Sequence, residues 1–111
     1  MSAKAIRRLA EKPEQEHPHT ITSLRIMYYV YILKSIKDKK LYIGYTNNLL
    51  KRIKEHNSKL NQSTKSRAPF KLVYYEAYQS HQDAKKREYN LKLRAKALTQ
   101  LLRRIRNSVA S

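Results

Sequence analysis

The sequence predicts an α/β domain of the α+β type: a small three-stranded antiparallel sheet flanked by helices, in the order β-β-α-β-α-α. Three observations predict it. A dense β-branched and aromatic run, Met27 to Leu33, is followed across a polar turn (Ser35 to Lys40) by a second run, Leu41 to Thr46, which is the pattern of a hairpin. A third such run lies at Phe70 to Tyr78. Between and after these, apolar residues recur at helical rather than alternating spacing. At 111 residues the chain has single-domain length and can bury only a modest core.

Residues 1–26 read as a separate extension. Glu11 to His19 has no apolar stretch of the secretory kind, and its polarity and two prolines, Pro13 and Pro18, predict a mobile segment. His17 and His19 are either a metal-binding pair or, more simply, two surface side chains. Met27 follows directly and is a candidate initiator. After the hairpin, Thr46 or Asn47 can cap a helix whose Leu49, Leu50, Ile53 and Leu60 would face the core. Asn57 to Pro69, rich in Ser, Asn, Gln, Lys and Arg, reads as an exposed loop. Ser80-His81-Gln82-Asp83 has capping-box spacing with Asp at the fourth position, so a second helix starts near His81. Its pattern weakens near Arg94, and Leu98, Leu101, Leu102 and Ile105 mark a final helix with a basic opposite face. The domain spans 27–106, with 107–111 as a C-terminal tail.

Lys and Arg number 25 against 8 acids, a formal net charge of +17, and such a field attracts polyanions. Nucleic acid is the first candidate partner. An anionic membrane surface is a weaker second, since no apolar run approaches the ~20 residues of a spanning helix. The chain has no cysteine, which excludes disulfides and thiolate metal sites and fits a reducing, cytoplasmic compartment.

Several side chains carry a structural and a chemical reading side by side. Between Ala84 and Arg106, Glu88 is the lone acid among Lys85, Lys86, Arg87, Lys92, Arg94, Lys96, Arg103, Arg104 and Arg106. It can form a helix-surface pair with a lysine a turn away, worth about 0.2–0.5 kcal/mol. It can equally hold a hard cation together with substrate phosphate. Arg52 and His56, four apart, share one helix face, either as an exposed basic surface or as a pair that contacts phosphate. Tyr31 and Tyr42 would face each other across the hairpin beside Gly44, the only glycine in the chain. Strand tyrosines are usually packing residues with a wet hydroxyl; Tyr28, Tyr74, Tyr75, Tyr78 and Tyr89 read that way, or as surfaces on which bases stack.

Taken together these residues resemble the GIY-YIG nuclease family. Tyr29-Val30-Tyr31 stands where the family has Gly-Ile-Tyr, and Tyr42-Ile43-Gly44 is its second tripeptide unchanged. Thr46 to Asn57 resembles the family's first helix, with Arg52 and His56 in register. Leu72-Val73-Tyr74-Tyr75-Glu76 resembles its third strand, and Ala84-Lys85-Lys86-Arg87-Glu88 the helix carrying its metal-binding Glu. The likeness covers about Met27 to Leu93 and is greatest to small stand-alone members similar to the catalytic N-terminal part of the bacterial excision-repair nuclease. Departures are the missing first glycine, a glycine-free loop from Asn57 to Pro69, and Lys92-Leu93-Arg94-Ala95 where close relatives often have Gly-Trp.

The resemblance implies phosphodiester hydrolysis with one divalent ion, Mg²⁺ or Mn²⁺, held by Glu88. It also implies a base among Tyr31 and Tyr42, charge stabilisation by Arg52, and support from His56. A tyrosine near its ordinary pKa of ~10 is a poor base at neutral pH, so Arg52 or the metal must assist. Lys51, Lys65, Arg67, Lys85, Lys86, Arg87 and Lys92 are expected to meet the nucleic-acid backbone. DNA is the expected partner, with RNA as the alternative; no membrane is implied, and an unidentified protein would supply specificity. Two functions follow. One is a DNA endonuclease, selective for damaged, branched or single-stranded structures and linked to repair or recombination. The other is a basic nucleic-acid-binding module that keeps the fold without cleavage.

Overall fold

A computed structural model describes residues 27–58, 61 and 64–111. The expected extension 1–26, with His17 and His19, and Leu60 of the first helix lie outside the described residues. The element order is β1 (Tyr28–Ser35), β2 (Leu41–Thr46), α1 (Leu49–Asn57), a 3-10 turn (Lys65–Arg67), β3 (Phe70–Tyr78), α2 (His81–Leu93), α3 (Ala95–Arg104) and a last short helix, α4 (Arg106–Ala110). The α+β class and the order β-β-α-β-α-α hold, with α4 added across the segment expected as a tail. Lys34 Nζ donates to Val109 O at 2.7 Å, tying α4 to the sheet.

The sheet is antiparallel throughout, in the order β2-β1-β3. Strand β1 is central, with both edges paired and helices packed on both faces, and Val30, Tyr31, Ile32 and Leu33 are all buried. Alternate residues of a strand point to opposite faces. Val30 and Ile32 join Ala84, Leu91 and Leu101 in a core under α2 and α3. Tyr31 and Leu33 join Ala68 and Phe70 in a second core, against which Leu49 and Ile53 of α1 pack.

Strand β3 departs from simple alternation. Ile32 pairs with Tyr74 and Leu33 with Leu72, so Val73 is an extra residue and the register shifts there. Such a bulge places two residues opposite one. Phe70 and Leu72 therefore lie in the α1 core, whereas Val73, Tyr74 and Tyr78 lie under α2 and α3. Helix α1 also differs from expectation. Its N-cap is Asn48, one residue beyond the predicted pair, with Oδ1 accepting from Lys51 N; Thr46 Oγ1 instead accepts from Asn48 N and donates to Asn48 O. Leu50 is 66% exposed, against the expectation that it faces the core. Nine residues give room for one inward stripe, and Leu49, Ile53 and His56, at i, i+4 and i+7, take it.

Helix α2 is capped by Ser80, whose Oγ accepts from Asp83 N. Its rotation on the sheet is fixed by Arg87, which donates to Glu76 from Nε at 3.0 and 3.2 Å and from a terminal nitrogen at 2.9 Å. Tyr74 donates to the same carboxylate at 2.6 Å, and Tyr78 donates to it as well. Burial raises the Glu76 pKa, but the Arg87, Tyr74 and Tyr78 hydrogen bonds outweigh it and hold the carboxyl below its ordinary value of 4.5. Burial and the Glu76 carboxylate in turn push both phenols up to about 12.

This clamp gives a stability prediction. Glu76→Gln leaves the half-buried guanidinium without its counter-charge and should cost about 1.5–3 kcal/mol, the range for hydrogen bonds to charged groups. Urea denaturation checks it, and an unchanged midpoint would remove the clamp from the account. Because the folded pKa is depressed, the stabilisation is complete above 4.5 and is lost as pH falls through the folded value.

Candidate active site

The face of the sheet under α1 is where the candidate residues gather. Gly44 pairs directly with Tyr31 across β1 and β2, and a Cβ at position 44 would lie 2.3 Å from Tyr31 Cζ and from its hydroxyl. That is far inside van der Waals contact, so only glycine lets the ring lie on the β2 backbone. Tyr42, two residues along β2, places its ring centroid 6.4 Å from that of Tyr31. His56, in the last turn of α1, stands between them, with ring centroids 6.0 Å from Tyr31 and 5.0 Å from Tyr42.

The Tyr31 hydroxyl and His56 Nε2 are hydrogen-bonded at 3.0 Å, and His56 Nδ1 and Thr64 Oγ1 at 2.7 Å. All three side chains are buried. Thr64 comes from the loop expected to be merely exposed; among Asn61, Ser66 and the other small polar residues around it, nothing in the sequence marks it. Its hydroxyl makes no capping bond to the 3-10 turn that follows and serves the imidazole instead. Burial lowers the His56 pKa below 6.5, Arg52 lowers it further, and Glu55 opposes. The imidazole is therefore neutral at neutral pH, with one proton to share between two hydrogen bonds. Burial and Tyr42 raise the Tyr31 pKa, Arg52 pulls it down, and Glu88 and Glu55 raise it again, leaving the phenol protonated well above the ordinary range.

Arg52 sits one turn before His56 on α1, half-exposed, with Nε 3.3 Å from Glu55 Oε1. Glu55 was not singled out from the sequence. Thr46, Asn47, Asn48, Lys51, Arg52 and Glu55 line a cleft of about 80 Å³ beside the end of β2. Glu88 projects from α2 with only 13% of its side chain exposed, bridged by Lys85 Nζ at 3.2 Å and Lys92 Nζ at 3.0 Å. Tyr31, Tyr42 and His56 are thus in direct contact, and Arg52 and Glu88 act on the Tyr31 hydroxyl through their charges.

The expected phosphate-facing cations divide. Lys51, Lys65 and Lys86 are exposed. Lys85 and Lys92 hold Glu88, and Lys85 also lies 4.8 Å from the Tyr45 ring centroid. Arg67 is paired with Asp38 at 2.7 Å and lies over the Phe70 ring, where it holds the Asp38 carboxyl down at about 2. Arg87 is turned to Glu76 under the other face. Both arginines thus have a carboxylate partner within the fold.

Among the described residues no group of three or more His, Cys, Asp or Glu side chains is gathered as a metal cage. Glu88 offers one carboxylate, a donor set that suits a hard cation whose remaining ligands are water and substrate phosphate. Among those residues no helix is long and apolar enough to cross a membrane.

A buried tyrosine against a hairpin glycine, a histidine and an arginine on the next helix and a carboxylate on a later one make up the candidate site of this α+β domain. The GIY-YIG catalytic-domain profile matches residues 27–102, and the chain belongs to the GIY-YIG family, whose nucleases act on DNA with divalent metal ions. It is 52% identical over 67 residues to a UPF0213 protein of Clostridium perfringens, covering 60% of this chain and 71% of that protein. A UPF0213 protein of Staphylococcus haemolyticus is 48% identical over 66 residues, covering 59% and 79% respectively. The solution NMR structure of a UPF0213 protein from Bacillus halodurans is 41% identical, covers 68% of this chain and 82% of its own, and has a TM-score of 0.44.

Two outcomes test this geometry. Gly44→Ala should displace the Tyr31 ring and cost about 1–3 kcal/mol, as overpacking does; a variant melting like the parent, with the His56 ring resonances unmoved, would contradict it. Because the His56 pKa is lowered on folding, the unfolded chain binds the extra proton first, and stability falls as pH drops below 6.5. Urea midpoints between neutral and mildly acid pH should show this loss in the parent and not in His56→Gln.

Proposed function

We propose that the protein is a metal-dependent endonuclease hydrolysing phosphodiester bonds in DNA, in repair or recombination within a cytoplasmic setting. The observation that carries the reading is the hydrogen-bonded chain Tyr31–His56–Thr64 beside Gly44, with Arg52 and Glu88 bearing on its end. A nuclease must move a proton off water without a strong free base, and this chain provides a way. The phenol is protonated, so it accepts a proton only as it gives up its own. His56 Nε2 receives that proton while Nδ1–H donates to Thr64 Oγ1, and a neutral imidazole is what burial and Arg52 maintain. The water oxygen then bonds to phosphorus as the leaving oxygen departs.

Tyr31 has this proton outlet, whereas Tyr42 is the more exposed of the two; we assign Tyr31 as the base and Tyr42 as its neighbour against the substrate. Arg52 stabilises charge building on the phosphate, where removing one such donor costs about 10²–10³ in rate. Glu88 would hold Mg²⁺ or Mn²⁺, and that ion, when bound, polarises the scissile phosphate and stabilises the leaving oxygen. Lys51 beside Arg52 binds backbone. RNA is the alternative polymer, and a protein partner supplying specificity accords with the lack of a base-reading motif.

One observation favours a second reading, a binding module without cleavage: both Glu88 oxygens are bridged by lysines. The deciding experiment is cleavage of supercoiled plasmid and branched duplex with Mg²⁺ or Mn²⁺. Glu88→Gln should abolish nicking while DNA binding persists. No product from the parent at any metal concentration, with salt-sensitive binding intact, would establish the module instead. Tyr31→Phe should lose about 10²–10⁴ in rate, the span of general acid–base catalysis, and retained activity there would move the base to Tyr42. Activity should hold at neutral pH and fall once acid protonates His56 below its already lowered pKa.

A further inference from the structure

The sheet face that carries Tyr31 bears a second aromatic pair which the proposed chemistry leaves unused. In register, Tyr31 stands between Gly44 and Tyr75, and Tyr29 between Thr46 and Ala77. Residues directly opposite across antiparallel strands share a face, so Tyr29 and Tyr75 lie on the same face of the sheet as the buried Tyr31. Tyr29 and Tyr75 touch, with ring centroids 5.9 Å apart and planes at 66°.

The core under α1 takes in Tyr31, Leu33, Phe70 and Leu72 but neither member of this pair. Tyr75 is 52% exposed. Ala77 is itself exposed and too short to shield Tyr29. The bulge at Val73 creates this surface: without the extra residue Tyr75 would lie under α2 and α3, on the face that Tyr74 and Glu76 occupy.

The setting selects the occupant. The chain carries +17, and the cleft containing Lys51 and Arg52 includes Thr46, the cross-strand partner of Tyr29. Tyr75 stands one strand spacing, about 4.8 Å, from Tyr31. A phosphate beside Tyr31 would thus bring its own base or the next one over the Tyr29–Tyr75 rings. Bases inside a duplex are already stacked on their neighbours, so only an unpaired base has a face to offer.

We infer that Tyr29 and Tyr75 form a stacking platform for an unpaired nucleobase beside the scissile phosphate, which makes nucleic acid with single-stranded nucleotides at the cut the preferred substrate class. The word scissile rests on the nuclease reading; the platform itself is tested by binding alone. Anisotropy titrations would compare a labelled mixed-sequence single strand with its duplex, in chelator and at one salt concentration. Tyr75→Ala and Tyr29→Ala should each weaken the single strand about tenfold, within the range for base–aromatic stacking, with duplex binding unchanged. Tyr75→Phe, which keeps the ring, should bind as the parent does. Strands with one abasic position should show where the base sits, because there the Tyr75→Ala penalty disappears.

Equal loss for both polymers, or no loss for either, overturns the platform. So does self-association by sedimentation that Tyr75→Ala abolishes while DNA binding is untouched, which would make the face an interface between two copies. A parent that cuts no DNA but loses single-strand binding with Tyr75→Ala would keep the platform and remove the nuclease; nicking with no effect of Tyr75→Ala on binding would do the reverse.

Discussion

The contact between the Tyr31 ring and the backbone of Gly44 is the constraint on which the site depends. With the ring against the β2 backbone, the hydroxyl ends at His56 Nε2, and His56 comes from a helix seated across that face. Leu49 and Ile53 provide the seating, and Thr64 closes the far side of the imidazole. Each partner is buried and each polar atom has a partner: no buried side-chain nitrogen or oxygen among the described residues lacks a hydrogen bond. Such a network is costly to leave half-satisfied, so a change at position 44 is transmitted to position 64 without touching it.

The bulge at Val73 has a complementary role. Even-numbered residues of β3 start under α1 as Phe70 and Leu72 and finish under α2 as Tyr74, Glu76 and Tyr78. The strand thereby serves two faces in turn. Its first half completes the wall around Tyr31. Its second half delivers a carboxylate to Arg87, which orients α2 and with it the adjacent Glu88. The same switch leaves Tyr75 in water next to Tyr31. One extra residue thus sets the angle of the carboxylate-bearing helix and bares an aromatic ring beside the tyrosine pair.

Much of this was legible in the chain. The hairpin, the third strand and the Ser80 cap follow from local pattern, because each depends on nearest neighbours. The contact of Tyr31 with Tyr42 and the turn relation of Arg52 to His56 were legible for the same reason, since hairpin register and helix periodicity fix them. What was not legible depends on tertiary choice. Leu50 has the same chemistry as Leu49, and only docking decides which is inward. Thr64 is one polar residue among many until His56 arrives. Arg67 and Arg87 count as basic surface by composition, yet Asp38 and Glu76 claim them. The bulge has no marker either, as Val73 reads as an ordinary strand residue.

The arrangement around Glu88 bears on how a strongly basic protein accommodates a lone acid on a basic helix. A carboxylate that is 13% exposed and unpaired would be a costly buried charge. Lys85 and Lys92 prevent this from one helical turn on either side, and both remain about half-exposed. The lysine ends of these pairs stay in solvent, so each lysine can turn to another anion without leaving water. On the nuclease reading, an arriving phosphodiester would offer the two lysines another anionic partner and leave Glu88 available to hold the divalent ion. The lysine bridges are then the resting form of the site. They would hold both Glu88 oxygens in place on the helix until substrate phosphate drew the lysines away.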